Sequence, residues 1–353
     1  MQDVIINSPS LDPTKNVSGI SSVVQFIIEQ NKSCNYIHFE VGRTDEAKGG
    51  LSRVISVFNS LQSWKKLLNK HPDAIVHYNF AMTRICIIRD SVYIHYCKRN
   101  KLVLHLHGGN FLFSDNIPFY LNSLLKRLFL KNVPFIVLSE AEKKRIKEKY
   151  HAKDVYSLPK CINLTEAAPY AKDYKKDLLT LGYIGRVAHT KGMNELLEAC
   201  EVLYNENIPF KLIIAGSERK GDTYLSRFAE KLGDCFEYIG VVSSEAKTNF
   251  FKTIDVFVLP SYFEGLPISL LETMSFGCVP ITTEVGSINS VVTNDENGLF
   301  ISIKSSNDIV EKVKRLASED GLMEKLGKRA KETIFEQFNP EKYIYELNKI
   351  YQI

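Results

Sequence analysis

Short runs rich in β-branched and aromatic residues alternate along this chain with longer segments of helical period, and few architectures accommodate that rhythm. Strands joined through helical crossovers lie parallel, and a parallel sheet is covered on both faces, so the alternation points to an α/β layer system. In the first half the strand candidates are DVIIN (3–7), YIHFEV (36–41), AIVHYN (74–79), LVLHLH (102–107), FIVLS (135–139) and VYSLP (155–159). Helical segments such as GISSVVQFIIEQ (19–30), VISVFNSLQSWKKLLNK (54–70) and SEAEKKRIKEKY (139–150) separate them.

The pattern pauses in CINLTEAAPYAKDYKK (161–176), a polar stretch with a proline and no clear period, which reads as a linker. It restarts with LLTLGYIG at 178 and continues through FKLIIAG (210–216), FEYIG (236–240), VFVLP (256–260), VPITT (279–283) and GLFIS (298–302). With 353 residues the chain is about twice the usual domain size. The expectation is α/β with two Rossmann-like, doubly wound parallel-sheet domains, 1–165 and 166–337, facing across a cleft. Ligands of such sheets bind in that cleft, outside the carboxyl ends of the strands.

Composition narrows the function classes. At 44% hydrophobic and 24% charged residues, the chain is neither disordered nor collagen-like. No stretch approaches the roughly 18–20 consecutive apolar residues of a spanning helix, and MQDVIINSPS has neither the basic cap nor the apolar core of a signal peptide. A cytoplasmic chain that does not cross a membrane is expected. Seven cysteines without a C-x-x-C pair read as reduced packing residues rather than a disulfide framework or zinc site. Residues 1–165 hold 23 Lys+Arg against 13 Asp+Glu, and 166–353 hold 22 against 28, so the halves carry +10 and −6. The basic half suits an anionic partner, nucleic acid or membrane surface, or is simply a solvated lysine-rich face.

The most informative segment is LPSYFEGLPISLLETMSFGCVPITT, 259–283. A strand ends at Leu259-Pro260, a short loop carries Glu264 and Gly265, and Pro267 suits the first turn of a helix running to Gly277. Amides at that helix start attract an anion. Glu272 would lie about 7–8 Å further along the axis than Glu264. This spacing fits a nucleotide sugar, with sugar hydroxyls at Glu264, diphosphate over the helix start and the ribose diol at Glu272. An amphipathic helix with one exposed glutamate and a solvated loop glutamate fits the same residues.

A second segment, LLTLGYIGRVAHTKGMNELLEA (178–199), sets Gly185 and Arg186 at a strand end and Lys191-Gly192 at the next helix start. Two cations beside a glycine turn suit a diphosphate, Arg186 bidentately and Lys191 as a compact charge. The segment fails the G-x-x-x-x-G-K-[ST] phosphate-loop pattern, and no G-x-G-x-x-G dinucleotide fingerprint occurs. ATPase and dehydrogenase readings are weakened accordingly.

Taken together, G-R-x4-K-G at 185–192, EGLPISLLE at 264–272, GCVPI at 277–281 and NGLF at 297–300 resemble family 4 of the glycosyltransferases. The resemblance covers the C-terminal half; the N-terminal half matches more weakly. It implies the GT-B architecture and a retaining transfer from a nucleotide-diphosphate sugar (UDP- or GDP-sugar) without a metal or other cofactor. Arg186 and Lys191 would hold the diphosphate. Glu264 would bind the transferred sugar, with Gly185 at the turn and the Gly265 and Leu266 amides near sugar and phosphate. Glu272 would hold the ribose, and Gly19 in VSGISSVV would be the glycine turn of the first domain, although Ser18 replaces a second glycine found in many relatives. His107 in LHLHGGNF would contact the transferred sugar, and a helix over 338–353 would pack back on the first domain. The chain has no D-x-D triplet, the usual metal clamp of the other large transferase fold.

Without the resemblance, His107 reads as a buried, satisfied histidine, or with His105 on the same strand face as a metal pair. On the acceptor side, FYLNSLLKRLFLKNVPF (119–135) and KKRIKEKYHAK (143–153) mix large apolar residues with cations. Such segments lie on anionic membranes, which suggests a peripheral enzyme acting on a saccharide acceptor, lipid-linked as in bacterial surface-polysaccharide assembly. A core helix with a basic edge is the alternative. Nucleic acid fits less well, because the cations lack an aromatic-interleaved groove pattern. The rival functions on this architecture are a sugar-nucleotide epimerase, a phosphorylase, and a catalytically silent binding protein.

Overall fold

The computed structural model describes the chain except residues 13, 14, 16, 17, 43–50, 109, 110, 160 and 175–177, and except the side chains of 51–57. Val17, Gly109 and Asn110 of the quoted segments, and the last residues of the linker stretch, thus lie outside the described residues. The chain divides into two units, Met1–Cys161 with Pro340–Ile353, and Ile162–Asn339.

Unit 1 runs β1 (Gln2–Ser8), α1 (Gly19–Gln30), β2 (Cys34–Glu40), α2 (Leu51–Lys70), β3 (Ile75–Phe80), α3 (Arg84–Tyr96), β4 (Lys101–Leu106), α4 (Phe119–Phe129), β5 (Phe135–Val137), α5 (Glu140–Tyr150) and β6 (Val155–Ser157). Its six strands are parallel in the order β2-β1-β3-β4-β5-β6. Unit 2 runs β7 (Leu179–Ile184), α6 (Met193–Asn205), β8 (Phe210–Ala215), α7 (Tyr224–Leu232), β9 (Phe236–Tyr238), α8 (Ser244–Thr253), β10 (Val256–Leu259), α9 (Ile268–Ser275), β11 (Val279–Thr283), β12 (Leu299–Ile301), α10 (Ser306–Ser318) and α11 (Leu322–Gln337). Its order is β12-β11-β10-β7-β8-β9, again all parallel. Helix α12 (Pro340–Tyr351) follows it in sequence and belongs to unit 1.

These topologies matter because strand order reverses at one point in each sheet, between β1 and β3 and between β7 and β10. The connections leaving those neighbouring strands diverge to opposite sides, which opens a crevice at their carboxyl ends. Local chemistry sets the helix starts. The Ser18 hydroxyl accepts from the Ile20 amide (3.2 Å), so the residue standing in for a glycine caps α1. Ser139 caps α5, its hydroxyl accepting from the Glu142 amide (3.2 Å), while Glu142 Oε2 reaches back to accept from the Leu138 amide at 2.6 Å.

The core of unit 1 centres on the fully buried Trp64, packed among Tyr78, Tyr93 and Phe39, with its indole N–H donating to the Tyr93 carbonyl (3.1 Å). Helix α12 closes this unit. Tyr343 meets Phe26 edge-on at 5.5 Å, Asn31 Nδ2 donates to Asn348 Oδ1 (2.7 Å), and Lys101 Nζ donates to the Tyr351 carbonyl (2.7 Å).

The linker expected over 161–176 is not a free tether in its described part. Tyr170 OH donates to the Lys252 carbonyl (2.9 Å), Tyr174 OH to the Gly277 carbonyl (3.0 Å), and Lys331 Nζ to the Ala167 carbonyl (2.7 Å). These anchors bind it to unit 2, where Leu164 and Ala167 are buried. None of the seven cysteines is joined in a disulfide.

Candidate active site

In unit 2 the site lies where β7 and β10 diverge. Gly185 and Arg186 follow β7, and the chain then makes a single 3₁₀ turn, His189–Lys191, before α6. Gly192 takes a left-handed φ of +74°, and a Cβ there would stand 2.2 Å from the carbonyl oxygen of Pro260, which follows β10. Glycine is therefore what lets the Lys191 turn press against the end of the neighbouring strand. The Tyr262 amide completes the junction by donating to the Thr190 carbonyl (3.0 Å).

The contact places two charged candidates together. Lys191 Nζ lies 2.6 Å from Glu264 Oε1, with the side chains 27% and 11% exposed. The same oxygen accepts from Ser261 Oγ (2.8 Å). Arg186 is exposed, and its carbonyl accepts from Tyr183 OH (2.7 Å). Burial, and then the charge of Glu264, raise the Tyr183 pKa well above the ordinary phenol value, so the hydroxyl stays a donor. Helix α9 begins behind this loop, with Pro267 at its cap and Leu266 buried. Gly265 is fixed through its carbonyl, which accepts from the Ser287 amide (3.0 Å).

Glu272, on α9, is held separately: its Oε1 lies 2.6 Å from Lys247 Nζ of α8. A further buried carboxylate supports the loop. Glu195, in the first turn of α6, accepts at Oε1 from Tyr262 OH (2.6 Å). Burial first, and then this bond to Glu195, raise the Tyr262 pKa.

Unit 1 holds the other two candidates. Gly19 is the exposed first residue of α1. His107 follows β4, is 9% exposed, and its Nε2 lies 2.6 Å from Asn79 Oδ1. Its ring lies 4.1 Å from that of His105, centroid to centroid. His105 Nδ1 meets His77 Nε2 (3.1 Å), and His77 Nδ1 meets Tyr351 OH (2.5 Å). Complete burial pushes the His77 pKa down to about 3, so that ring is neutral.

Comparison with known proteins bears on this arrangement. Residues 165–333 match the sequence profile of the family described as glycosyl transferases group 1. That match covers nearly all of unit 2. Among curated proteins, the chain is 29% identical over 174 residues to the uncharacterized glycosyltransferase MJ1607 of Methanocaldococcus jannaschii, covering 48% of this chain and 44% of that one. It is 23% identical over 175 residues to the capsular polysaccharide biosynthesis glycosyltransferase CapM of Staphylococcus aureus, covering 50% and 46%. The matched stretch thus spans less than half the length of these two relatives. Among solved structures, sucrose-phosphate synthase from Thermosynechococcus elongatus superposes with a TM-score of 0.78 at 17% identity, covering 100% of this chain and 98% of that one. Anabaena HepE, solved with UDP and glucose, gives 0.73 at 13% identity over 100% of both. Both similarities show the fold, GT-B.

Within the matched stretch, Gly185, Arg186, Lys191, Glu264, Gly265 and Leu266 gather around the β7/β10 junction, and Glu272 lies on α9, the helix that starts there. The sequence reading omitted Ser261, Tyr262, Glu195 and Lys247. Ser261 and Tyr262 stand inside the quoted loop, and Glu195 lies three residues beyond Gly192, so position alone could have flagged them. Lys247 sits on another helix and carries no local signal. In unit 1 it omitted Asn7 and Asn79, each the last but one residue of its strand.

Proposed function

We propose that the chain is a retaining glycosyltransferase that moves a sugar from a nucleotide-diphosphate sugar to a saccharide acceptor. The observation that carries this reading is the Lys191–Glu264 pair at the β7/β10 junction, an ammonium and a carboxylate side by side at the strand ends. A bound diphosphate competes for the ammonium, with Arg186 as a second cation, and releases Glu264 to accept from sugar hydroxyls. As the bond from the anomeric carbon to the diphosphate breaks, negative charge grows on the departing oxygen. Lys191, Arg186 and the amides at the start of α9 would stabilise it, the charge work a metal would otherwise supply. Glu272 takes the ribose diol, and a UDP-sugar donor is favoured because HepE was solved with UDP and with UDP-glucose.

A thermal-shift comparison of UDP-, GDP- and ADP-sugars tests the donor, since a ligand that binds only the folded chain raises its Tm. No shift with any of them would sink the reading. Product analysis then separates transferase from epimerase and phosphorylase, because only the first forms a glycoside with a separate acceptor. Glu272→Ala should weaken donor binding about 10- to 100-fold, the loss of a hydrogen bond to a charged group. Titration of the donor checks this, and unchanged affinity removes Glu272 from the ribose.

For the acceptor we favour a lipid-linked saccharide of surface-polysaccharide assembly, reached at an anionic membrane. CapM is named for capsular polysaccharide biosynthesis. Unit 1 itself presents a suitable surface. Helix α4 buries Leu121, Leu125 and Leu128, yet Phe119 is 88% and Leu130 70% exposed. Helix α3, packed beside it, exposes Ile85, Ile88, Val92 and Tyr96 as one stripe. Exposed Arg84, Lys98, Arg99, Lys126, Arg127 and Lys131 lie on or next to these helices, and each contributes about 1 kcal/mol at an anionic bilayer. Among the described residues no helix is long and apolar enough to cross a membrane. The chain should float with phosphatidylglycerol-containing vesicles, and Ile88→Ser with Phe119→Ser should release it. Equal flotation of that double variant, or none of the wild-type chain, contradicts the surface.

A further inference from the structure

The carboxyl ends of β1 and β3 flank the reversal point of the sheet in unit 1, where ligands of such sheets bind. Each strand brings an asparagine to that edge, and backbone groups orient both amides. The Asn79 amide N–H donates to Asn7 Oδ1 (2.7 Å), and Asn7 Nδ2 donates to the Asn79 carbonyl (3.2 Å). Asn79 Nδ2 in turn donates to the Asn7 carbonyl (2.7 Å). A backbone N–H only donates and a backbone carbonyl only accepts, so neither amide can be turned over without setting like against like.

The nitrogen of the Asn79 amide therefore faces Asn7, and its oxygen faces His107. Oδ1 stands 2.6 Å from His107 Nε2. An amide oxygen has no proton to offer, so the proton between them is carried by Nε2. In the neutral ring Nδ1 is then an acceptor, and the group that meets it is a donor. The His105 ring packs against the imidazole at 4.1 Å and is itself tied through His77 to Tyr351, which limits any swing away from Asn79.

We propose that Asn79, clamped by Asn7, is a positioning residue that holds His107 as the Nε2–H tautomer, so that the ring meets the transferred sugar as an acceptor, through Nδ1, for a hydroxyl proton. This rests on the reading of His107 as a donor-sugar contact. It adds a requirement on the substrate: the sugar presents a hydroxyl, not an acceptor-only group, at that nitrogen. Asn79 itself touches no substrate and acts through the ring.

Long-range ¹H–¹⁵N spectra of the full chain labelled in its eight histidines report each tautomer, and His107 is identified by the signals lost in His107→Gln. The wild-type ring is expected as Nε2–H near neutral pH. Asn79→Asp keeps an oxygen facing Nε2 while losing the bond to the Asn7 carbonyl, and Nε2 should stay protonated there, with the carboxylate favouring the charged ring. Asn79→Leu removes the acceptor and should give a mixture, with His71 unmoved as the report of an intact fold. Turnover of the nucleotide sugar selected by thermal shift should fall on the order of tenfold in Asn79→Leu, with donor KM nearly constant, and recover in part in Asn79→Asp. An Nδ1–H ring or an imidazolium in the wild-type chain overturns the proposal, as does an unchanged Nε2–H ring in Asn79→Leu. If the tautomers behave as stated while His107→Gln turns over normally, it is the sugar contact that falls, and with it the role in transfer.

Discussion

Lys191→Ala is expected to lower kcat for sugar transfer by about 10²- to 10³-fold, the cost of roughly 2.7–4 kcal/mol found on removing one preorganised group that stabilises transition-state charge. The fold should survive. Lys191 is 27% exposed, and a partly exposed ion pair contributes about 1 kcal/mol or less to stability. What the variant loses is the cation beside the departing phosphate, and what it leaves is Glu264 with Ser261 as its remaining hydrogen-bond donor of the two. Arginine should rescue poorly, because a planar guanidinium does not reproduce a compact ammonium in a turn closed by Gly192 and Pro260. Transfer rates measured alongside Tm decide the matter. A kcat within about threefold of wild type, at unchanged Tm, would falsify the diphosphate assignment of Lys191.

The second large effect comes from a residue without a side chain. Gly192→Ala should lower stability by roughly 2–3 kcal/mol, on the order of 5–10 °C in Tm for a domain of this size, and abolish donor binding. Two costs add at this position. The backbone has a φ of +74°, which L-residues rarely adopt, and the new Cβ would meet the Pro260 carbonyl oxygen at 2.2 Å. Backbone cannot yield as a flexible side chain would, so the turn must move and carry Lys191 off Glu264. Gly321 provides the control. Its φ is +76°, yet a Cβ there meets nothing within 4 Å. Gly321→Ala therefore pays only the conformational term, and the difference between the two variants measures the clash. Equal Tm losses would show that the close approach to Pro260 carries no weight.

Much of the architecture was legible because its signals are local. Helix α1 spans the predicted 19–30 and β11 the predicted 279–283, since a strand or helix bounded by a cap, a glycine or a proline announces its own ends. Helix α3 was not among the helical segments read from the sequence. Its apolar residues surround the helix, Ile87, Tyr93 and Ile94 buried and Ile85, Ile88 and Val92 exposed, so no polar face marks the period. The stretch over 161–176 lacked period for a different reason. Its anchors are single side chains, Tyr170 and Tyr174, that reach carbonyls of Lys252 and Gly277, and a contact across 82 or 103 positions leaves no local pattern.

The candidate site divides along the same line. From the sequence alone came the residue types and their segments: two cations behind a glycine turn, a glutamate before a proline-started helix, a histidine at a strand end. Only the tertiary structure decided which of them touch. Lys191 and Glu264 are 73 positions apart and meet because β7 and β10 are neighbours at the point where strand order reverses. Asn7 and Asn79, 72 positions apart, meet for the same reason between β1 and β3. Periodicity and capping are properties of a few adjacent residues, whereas strand order is a property of the whole folded sheet, and the chemistry at strand ends is assembled by that order.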